Sequence, residues 1–394
     1  MVGRDPHEAH RAATPLELLF DLTFATCFGQ AASEVALVLA HGHFITGLAG
    51  FGFATLAICW AWMSFSWFSS AYDTNDWVFR IVTMIQMIGV LVLAAGLPRM
   101  FASIERGQRL DNSIMVLGYV IMRIALVFQW LRAAKDDPLR RRGCFTYAAT
   151  IAIAQIGWVV LIVVPLATPA AIMLGGILVL VELSGPLLAE RQAGGTPWHA
   201  HHIAERYSLF AIIALGEGVV GTVAALSAVM DRQGWTLDAL LAGVAGMGLT
   251  FGMWWIYYLV PFGKILERHR DRVAVWSYAQ VLIITSIVAT GGGLRVAAYF
   301  IDGRARISAL AAVLAVVVPV GIFLGSIYAL SYYLVRRFKF FKAWLLIPTA
   351  GIIAVAPVAA LSGVDVAKCL VILMLAPAVT VVASEVRVVE APSS

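Results

Sequence analysis

Charge is what this chain lacks. Asp, Glu, Lys and Arg together make up 13% of its 394 residues, where a water-soluble domain carries about 25%. That is too little to coat a protein of this size in water, and a soluble enzyme is excluded. Cysteine is scarce as well. Cys27, Cys59, Cys144 and Cys369 lie scattered within or at the ends of apolar segments, with neither a disulfide framework nor metal-ligand spacing. They read as small core hydrophobes. Nucleophile elbow, phosphate loop and dinucleotide fingerprint are missing. The run Gly291-Gly292-Gly293 ends an apolar segment, where a phosphate loop has no use. No cleavable signal peptide is visible. The polar stretch Met1–Pro15, with His7, Glu8 and His10, leads into an apolar segment that must itself direct insertion.

Apolar residues are abundant, at 61% of the chain. A bilayer-spanning helix needs about 20 mainly apolar residues. Segments of that kind fall at 16–40, 44–70, 78–97, 111–132, 144–166 and 169–189, then at 203–228, 236–260, 273–298, 307–334, 343–361 and 364–384. The tight joins Pro165–Pro169 and Leu361–Val364 are compatible with re-entrant pairs as well as full spans. The net charge of +5 does not indicate nucleic acid, because the basic residues sit in short runs between spans. With twelve spans, one side collects Arg132 to Arg142, Lys264 to Arg272, and Arg336 to Lys342, together with Arg4, Arg11, Arg191 and Arg387. The other side has Arg99, Arg106, Arg109, Arg232, Arg304 and Arg306. The positive-inside rule then puts both termini in the cytoplasm.

A weak internal repeat runs through the chain. Phe24-Ala25-Thr26-Cys27-Phe28-Gly29-Gln30 aligns with Ala211-Ile212-Ile213-Ala214-Leu215-Gly216-Glu217, with Glu17 and Glu205 near the openings of the two segments. Gln86 and Gln280 occupy similar places in spans three and nine. Those spans end in Gly96-Leu97-Pro98-Arg99 and Gly292-Gly293-Leu294-Arg295. Six spans per half is an even number, so the expected organisation is a cytoplasmic segment 1–14, parallel six-helix repeats at 15–190 and 191–385, and a cytoplasmic tail 386–394. In such folds the ligand site lies near mid-membrane at the repeat interface.

Charges inside apolar spans must pair, line water or face the bundle interior. Here they are Asp21, Glu34, Arg80, Arg123, Glu182, Arg206 and Glu217. Depth arithmetic at about 1.5 Å per residue suggests Asp21 with Arg123, and Arg80 nearer the surface with Glu17. A structural salt bridge that fixes helix register is the competing role. In span seven His202, Arg206 and Glu217 share one helix face, which starts basic and reaches a carboxylate with no cation adjacent in sequence. Gly216, Gly218 and Gly221 around Glu217 allow close approach of another helix or a ligand. Glu182 precedes Ser184-Gly185-Pro186, a kink signal, and Glu34 reads as snorkelling outward. Aromatic runs such as Trp60, Trp62, Trp67 and Trp254, Trp255, Tyr257, Tyr258 read as packing or interfacial belt. His41 and His43 lie on the opposite side from His199, His201 and His202, so no shared metal site forms.

Glu17-Leu18-Leu19-Phe20-Asp21-Leu22-Thr23-Phe24 and the stretch from His202 through Glu205-Arg206 and Leu209-Phe210 to Leu215-Gly216-Glu217 resemble the bacterial low temperature requirement protein A family. The similarity in layout covers about residues 15–385. Gly218 departs from the pattern, where a serine or another small residue is expected after the Gly-Glu pair. The resemblance implies a bacterial inner-membrane protein linked by name to growth in the cold, and supplies no biochemical activity.

The expected fold is an all-α integral membrane protein of about twelve transmembrane helices in two parallel-oriented repeats. The expected function is a secondary transporter or carrier, with Asp21, Gln30, Arg123, Glu182, His202, Arg206 and Glu217 in a polar pathway between the repeats. Glu217 handles a proton or binds the solute, and Arg206 attracts anions at the cytoplasmic mouth. Glu17, Arg80 and Glu205 are candidate structural ion-pair residues. No catalytic residue, cofactor or metal is expected; the partners are membrane lipids and a small solute or proton. The rival is a membrane-embedded enzyme or carrier acting on a lipid or lipid-linked substrate through His202, Glu205 and Arg206.

Overall fold

The computed structural model describes residues 3–5, 8, 11–106, 110–164, 168–192, 195–336 and 340–385. Among these the chain is helical and has no strands. The helices are α1 (Pro15–Ala40), α2 (Phe44–Tyr72), α3 (Trp77–Glu105), α4 (Ser113–Asp136), α5 (Arg141–Val163), α6 (Thr168–Glu190), α7 (Ala200–Gln233), α8 (Leu237–Tyr258), α9 (Phe262–Arg268), α10 (Val273–Ile301), α11 (Ala309–Val335), α12 (Leu346–Leu361) and α13 (Val366–Glu385). Twelve helical stretches are long and apolar enough to cross a membrane, α8 and α9 counting as one. The chain is a multi-pass membrane protein.

The helix ends follow local chemistry. Asp76, Thr236 and Ser308 each accept a backbone N–H in the first turn of α3, α8 and α11, which satisfies a donor the helix itself leaves open. Two boundaries differ most from the sequence reading. Span three does not stop before Pro98 but runs on to Glu105, because proline removes one helical hydrogen bond without ending a helix whose neighbours hold it. Beyond span eight, α9 and a short 3-10 turn fill what reads as loop; α9 buries Phe262, Ile265 and Leu266 on one face. The join after Leu361 is a turn with Gly363 at φ +85, a conformation that favours glycine. Residues 165–167 of the other tight join, and the tail 386–394, lie outside the described residues. The four cysteines are buried and free.

The chain clusters into two compact units, Met1–Gln30 with Ala57–Arg206, and Ala31–Leu56 with Tyr207–Ser394. In the first unit α3, α4, α5 and α6 pack in series. Side chains are almost eliminated at the α3–α4 crossing: a Cβ on Gly96 would lie 2.3 Å from the Met115 nitrogen, and one on Gly118 2.3 Å from that of Leu93. Backbone meets backbone there, as small residues permit between membrane helices. The described residues before α1 are tied to the end of α2. Arg11 donates to the carbonyls of Ser69, at 2.6 Å, and of Ser70, and the Arg4 amide donates to Ala71 O at 3.0 Å. A cation at the carboxyl end of a helix answers its open carbonyls and its dipole.

In the second unit α10, α11, α12 and α13 pack in series, and α8 packs on α13. A Cβ on Gly293 would meet Ala315 O at 2.2 Å, so α10 and α11 also touch through backbone.

One surface pair sets a pH dependence. Asp76 caps α3 through Phe79 N at 2.9 Å and accepts both Arg132 guanidinium nitrogens at 3.0 and 2.7 Å. The Arg132 charge and these donors hold its carboxyl well below the usual range. A folded pKa below the unfolded value means stability present above about pH 4 and lost as pH falls from there. Asp76→Asn is therefore expected to flatten the fall in Tm of the purified protein between pH 5 and 3. An unchanged slope would assign that fall to other groups.

Candidate functional site

Two helices in the first unit each bring a pair of polar residues one turn apart. Glu17 and Asp21 lie on α1; His202 and Arg206 lie on α7. The four close into a cluster in which all side chains are at most 1% exposed. Arg206 Nη1 donates to Glu17 at 2.7 Å and to the Ser69 hydroxyl at 3.1 Å. Its Nη2 and Nε fork onto Asp21 at 2.5 and 3.2 Å. Trp62 Nε1 donates to Asp21 at 2.6 Å, and the Thr14 amide donates to Glu17 at 2.8 Å. His202 Nε2 lies 3.2 Å from Glu17. A carboxylate only accepts, so Nε2 carries the hydrogen and Nδ1 the lone pair. That Nδ1 has no partner among the described residues. Trp62 and Phe65 flank the guanidinium, with centroids 5.7 and 5.9 Å from its carbon.

Two carboxylates face one guanidinium, so with neutral His202 these four groups carry one excess negative charge; next to them the buried Arg11 and Asp73 act on Glu17 with opposite signs. Sealed from water, that excess is expensive, and one added proton cancels it. Beside it His199 prepares the entry to α7: its Nδ1 accepts the His202 amide at 3.1 Å, and its Nε2 lies 2.8 Å from Glu8 O.

This arrangement corrects two pairings expected from depth alone. Asp21 meets Arg206, not Arg123, and Glu17 meets Arg206 and His202, not Arg80. Arg80 is exposed, with its Nε 3.0 Å from Asn75, because a long cationic side chain near a helix end reaches water at little cost. Nor does Arg206 stand open at a mouth: Nε, Nη1 and Nη2 are all engaged. Glu205, on the same helix, is exposed, as is Gln30 of α1.

Arg123 has its own carboxylate. Nη2 donates to Glu182 at 2.7 Å and to Tyr119 at 2.5 Å. Glu182 also accepts from Tyr119 at 2.6 Å, Gln155 at 3.0 Å and Trp158 at 3.2 Å. This second centre joins α4, α5 and α6, all in the first unit. Tyr119 and Arg123 are one turn apart on α4, as are Gln155 and Trp158 on α5, but no spacing along the chain links the three helices.

In the second unit Glu217 of α7 pairs with Arg295 of α10 at 2.7 Å, and Arg295 also donates to Ser33 of α1 at 2.5 Å. Arg295 lies inside the expected span 273–298, but no spacing along the chain links it to Glu217; the pair is made by α10 lying against α7. The glycines explain the approach: a Cβ on Gly291 would lie 2.4 Å from Glu217 O. Gly218 faces Thr250 of α8, whose hydroxyl would be 2.4 Å from an added Cβ, and Gly246 faces Thr222 in the same way. A serine at 218 would meet that hydroxyl, so here the small residue is glycine for reasons of space. Among the described residues no cluster of three or more His, Cys, Asp or Glu side chains is arranged to hold a metal ion.

The model of the family described as Bacterial low temperature requirement A protein (LtrA) matches residues 12–377. That range contains all three centres. An uncharacterized protein of Rhizobium meliloti (strain 1021) is 24% identical over 290 residues, 71% of this chain and 66% of the relative. The chain thus spans just under two thirds of that relative's length. No solved structure matches.

Proposed function

From a chain that belongs to the bacterial LtrA family and crosses the membrane many times, we propose a proton-coupled secondary carrier whose proton site is the Glu17–Asp21–His202–Arg206 cluster. The observation that carries this reading is the unbalanced charge of that cluster, with an unpartnered imidazole nitrogen in it. A proton taken at His202 Nδ1 gives imidazolium and guanidinium against two carboxylates, and the excess charge disappears. Protonation therefore changes what the cluster costs inside a low-dielectric bundle, which is what coupling requires. A pure register pin has no need of the second carboxylate. The serial packing α3 to α6 and α10 to α13 supports the two related halves read from sequence.

The lipid-active rival requires His202, Glu205 and Arg206 to form one constellation open to lipid. His202 and Arg206 are instead sealed, and of the three Glu205 alone is exposed, which favours the carrier. In this reading both termini are cytoplasmic in the inner membrane, and the cold-growth link in the family's name becomes an expectation for a deletion strain grown at low temperature.

The test is proton flux in liposomes. Purified protein is reconstituted with an internal pH dye, the potential is clamped, and small polar solutes are added outside by class. Internal acidification that depends on protein and solute, and falls at least ~tenfold in His202→Gln and Asp21→Asn, is the expected result. Flux unchanged in both variants would remove the cluster from the mechanism, and no flux with any class would end the carrier reading.

A further inference from the structure

The layer around Arg123 has more hydrogen-bond donors than its protein partners use. Arg123 is 1% exposed, and Nη2 alone is engaged. Its Nε and Nη1 have no partner among the described residues, nor has Gln155 Oε1. On the α3–α4 side, Gln86 Nε2 and both ends of Gln129 are in the same condition, each side chain 1% exposed. Buried donors left unmade are rare and costly, and those of a cation most of all. Glu182 is the reverse case: its two oxygens accept four hydrogen bonds, which fills the capacity of a carboxylate. It is a fixed anion that cancels the guanidinium's charge and holds it in place. The remaining Arg123 N–H groups are what the centre offers to a ligand.

We propose that this centre binds a small solute through a single carboxylate group, and that this solute is the cargo coupled to the proton. The proposal rests on the carrier reading for its second half only. Unpartnered donors on a buried cation select an acceptor, and a planar guanidinium suits a carboxylate. Glu182 already neutralises Arg123, so a dianion such as hydrogen phosphate would bring two uncompensated charges, and a monocarboxylate brings one. Carried with the proton that His202 accepts, a monocarboxylate moves no net charge, so the loaded protein places no additional charge in the hydrocarbon layer.

The experiment is thermal unfolding of the detergent-purified full chain at about pH 8.5, where phosphate is mainly the dianion, titrated with sodium acetate or sodium phosphate against sodium chloride at equal ionic strength. A saturable rise in Tm with acetate and none with phosphate is expected. Arg123→Lys keeps a cation beside Glu182 but loses the guanidinium donors, and should weaken apparent acetate affinity at least ~tenfold. Glu182→Gln leaves Arg123 uncompensated and should tighten it several-fold, a gain that a purely structural pair would not give. No saturable rise in the wild-type chain overturns the site, even if a variant fails to fold, and so does a rise untouched by Arg123→Lys. Proton flux in liposomes without acetate binding would sink this site and leave the carrier standing. Acetate binding without proton flux would leave a carboxylate site and remove the coupling.

Discussion

Arg206→Leu is expected to abolish accumulation of folded protein. Breaking a buried ion pair by removing one partner costs about 3–5 kcal/mol, because the other charge stays behind. Arg206 serves two carboxylates, Glu17 and Asp21, both sealed from water, and a protein has only about 5–15 kcal/mol of stability to lose. Detergent-solubilised extract run on a fluorescence-detected sizing column should show the monodisperse peak replaced by aggregate. The triple variant Arg206→Leu, Glu17→Gln, Asp21→Asn should restore the peak, since no charge is stranded, while proton flux stays absent. If the single variant elutes like wild type, the cluster is not the electrostatic anchor described above.

The second large effect concerns space. At the α3–α4 crossing Gly118 lies against the backbone of Leu93, where a Cβ would come within 2.3 Å of the nitrogen. Contacts under 3.0 Å to backbone cannot be relieved by turning a side chain; the helices must separate. Gly118→Val is expected to cost at least ~3 kcal/mol, at or beyond the usual upper range for overpacking, and to lower Tm by at least ~6 °C at about 2–4 °C per kcal/mol. Gly176, with nothing near its Cβ direction, is the control: Gly176→Val should change little. Equal losses at both positions would assign the effect to helix glycine content and not to the crossing.

These two predictions sit at opposite ends of what the sequence reveals. The helices themselves were legible, because length and hydropathy alone decide what crosses a bilayer; all twelve expected segments are helical within the described residues. Most of the buried polar groups were legible too. Asp21, Arg123, Glu182, His202, Arg206 and Glu217 are buried, as the cost of charge in hydrocarbon requires, whereas Gln30 and Arg80 are exposed. The partners of the buried groups were not legible. Depth along a helix gives one coordinate, whereas pairing depends also on the rotation and neighbours of each helix. Depth alone offered Arg123 as the partner of Asp21, and only the packing of α4 on α5, and of α5 on α6, shows Arg123 paired with Glu182. Arg295 was missed for the same reason: it lay inside the expected span 273–298, but nothing along the chain sets α10 against Glu217 of α7. Gly118 and Gly96 carried no signal of their own in a chain with 34 glycines.

The division of the chain bears on how it is made. Residues Ala31–Leu56 belong with Tyr207–Ser394, and the stretch Ala57–Arg206 lies between them in sequence. No single cut therefore separates the two units, and expressing either half of the gene leaves one of them incomplete. On the ribosome, at about 5–20 residues per second, the second half of α1 and the first half of α2 enter the membrane on the order of ten seconds before the rest of their unit. For that interval Ser33 is in place while its partner Arg295 has yet to be synthesised, so the bilayer and the insertion machinery have to accommodate an unfinished polar site until translation supplies the cation.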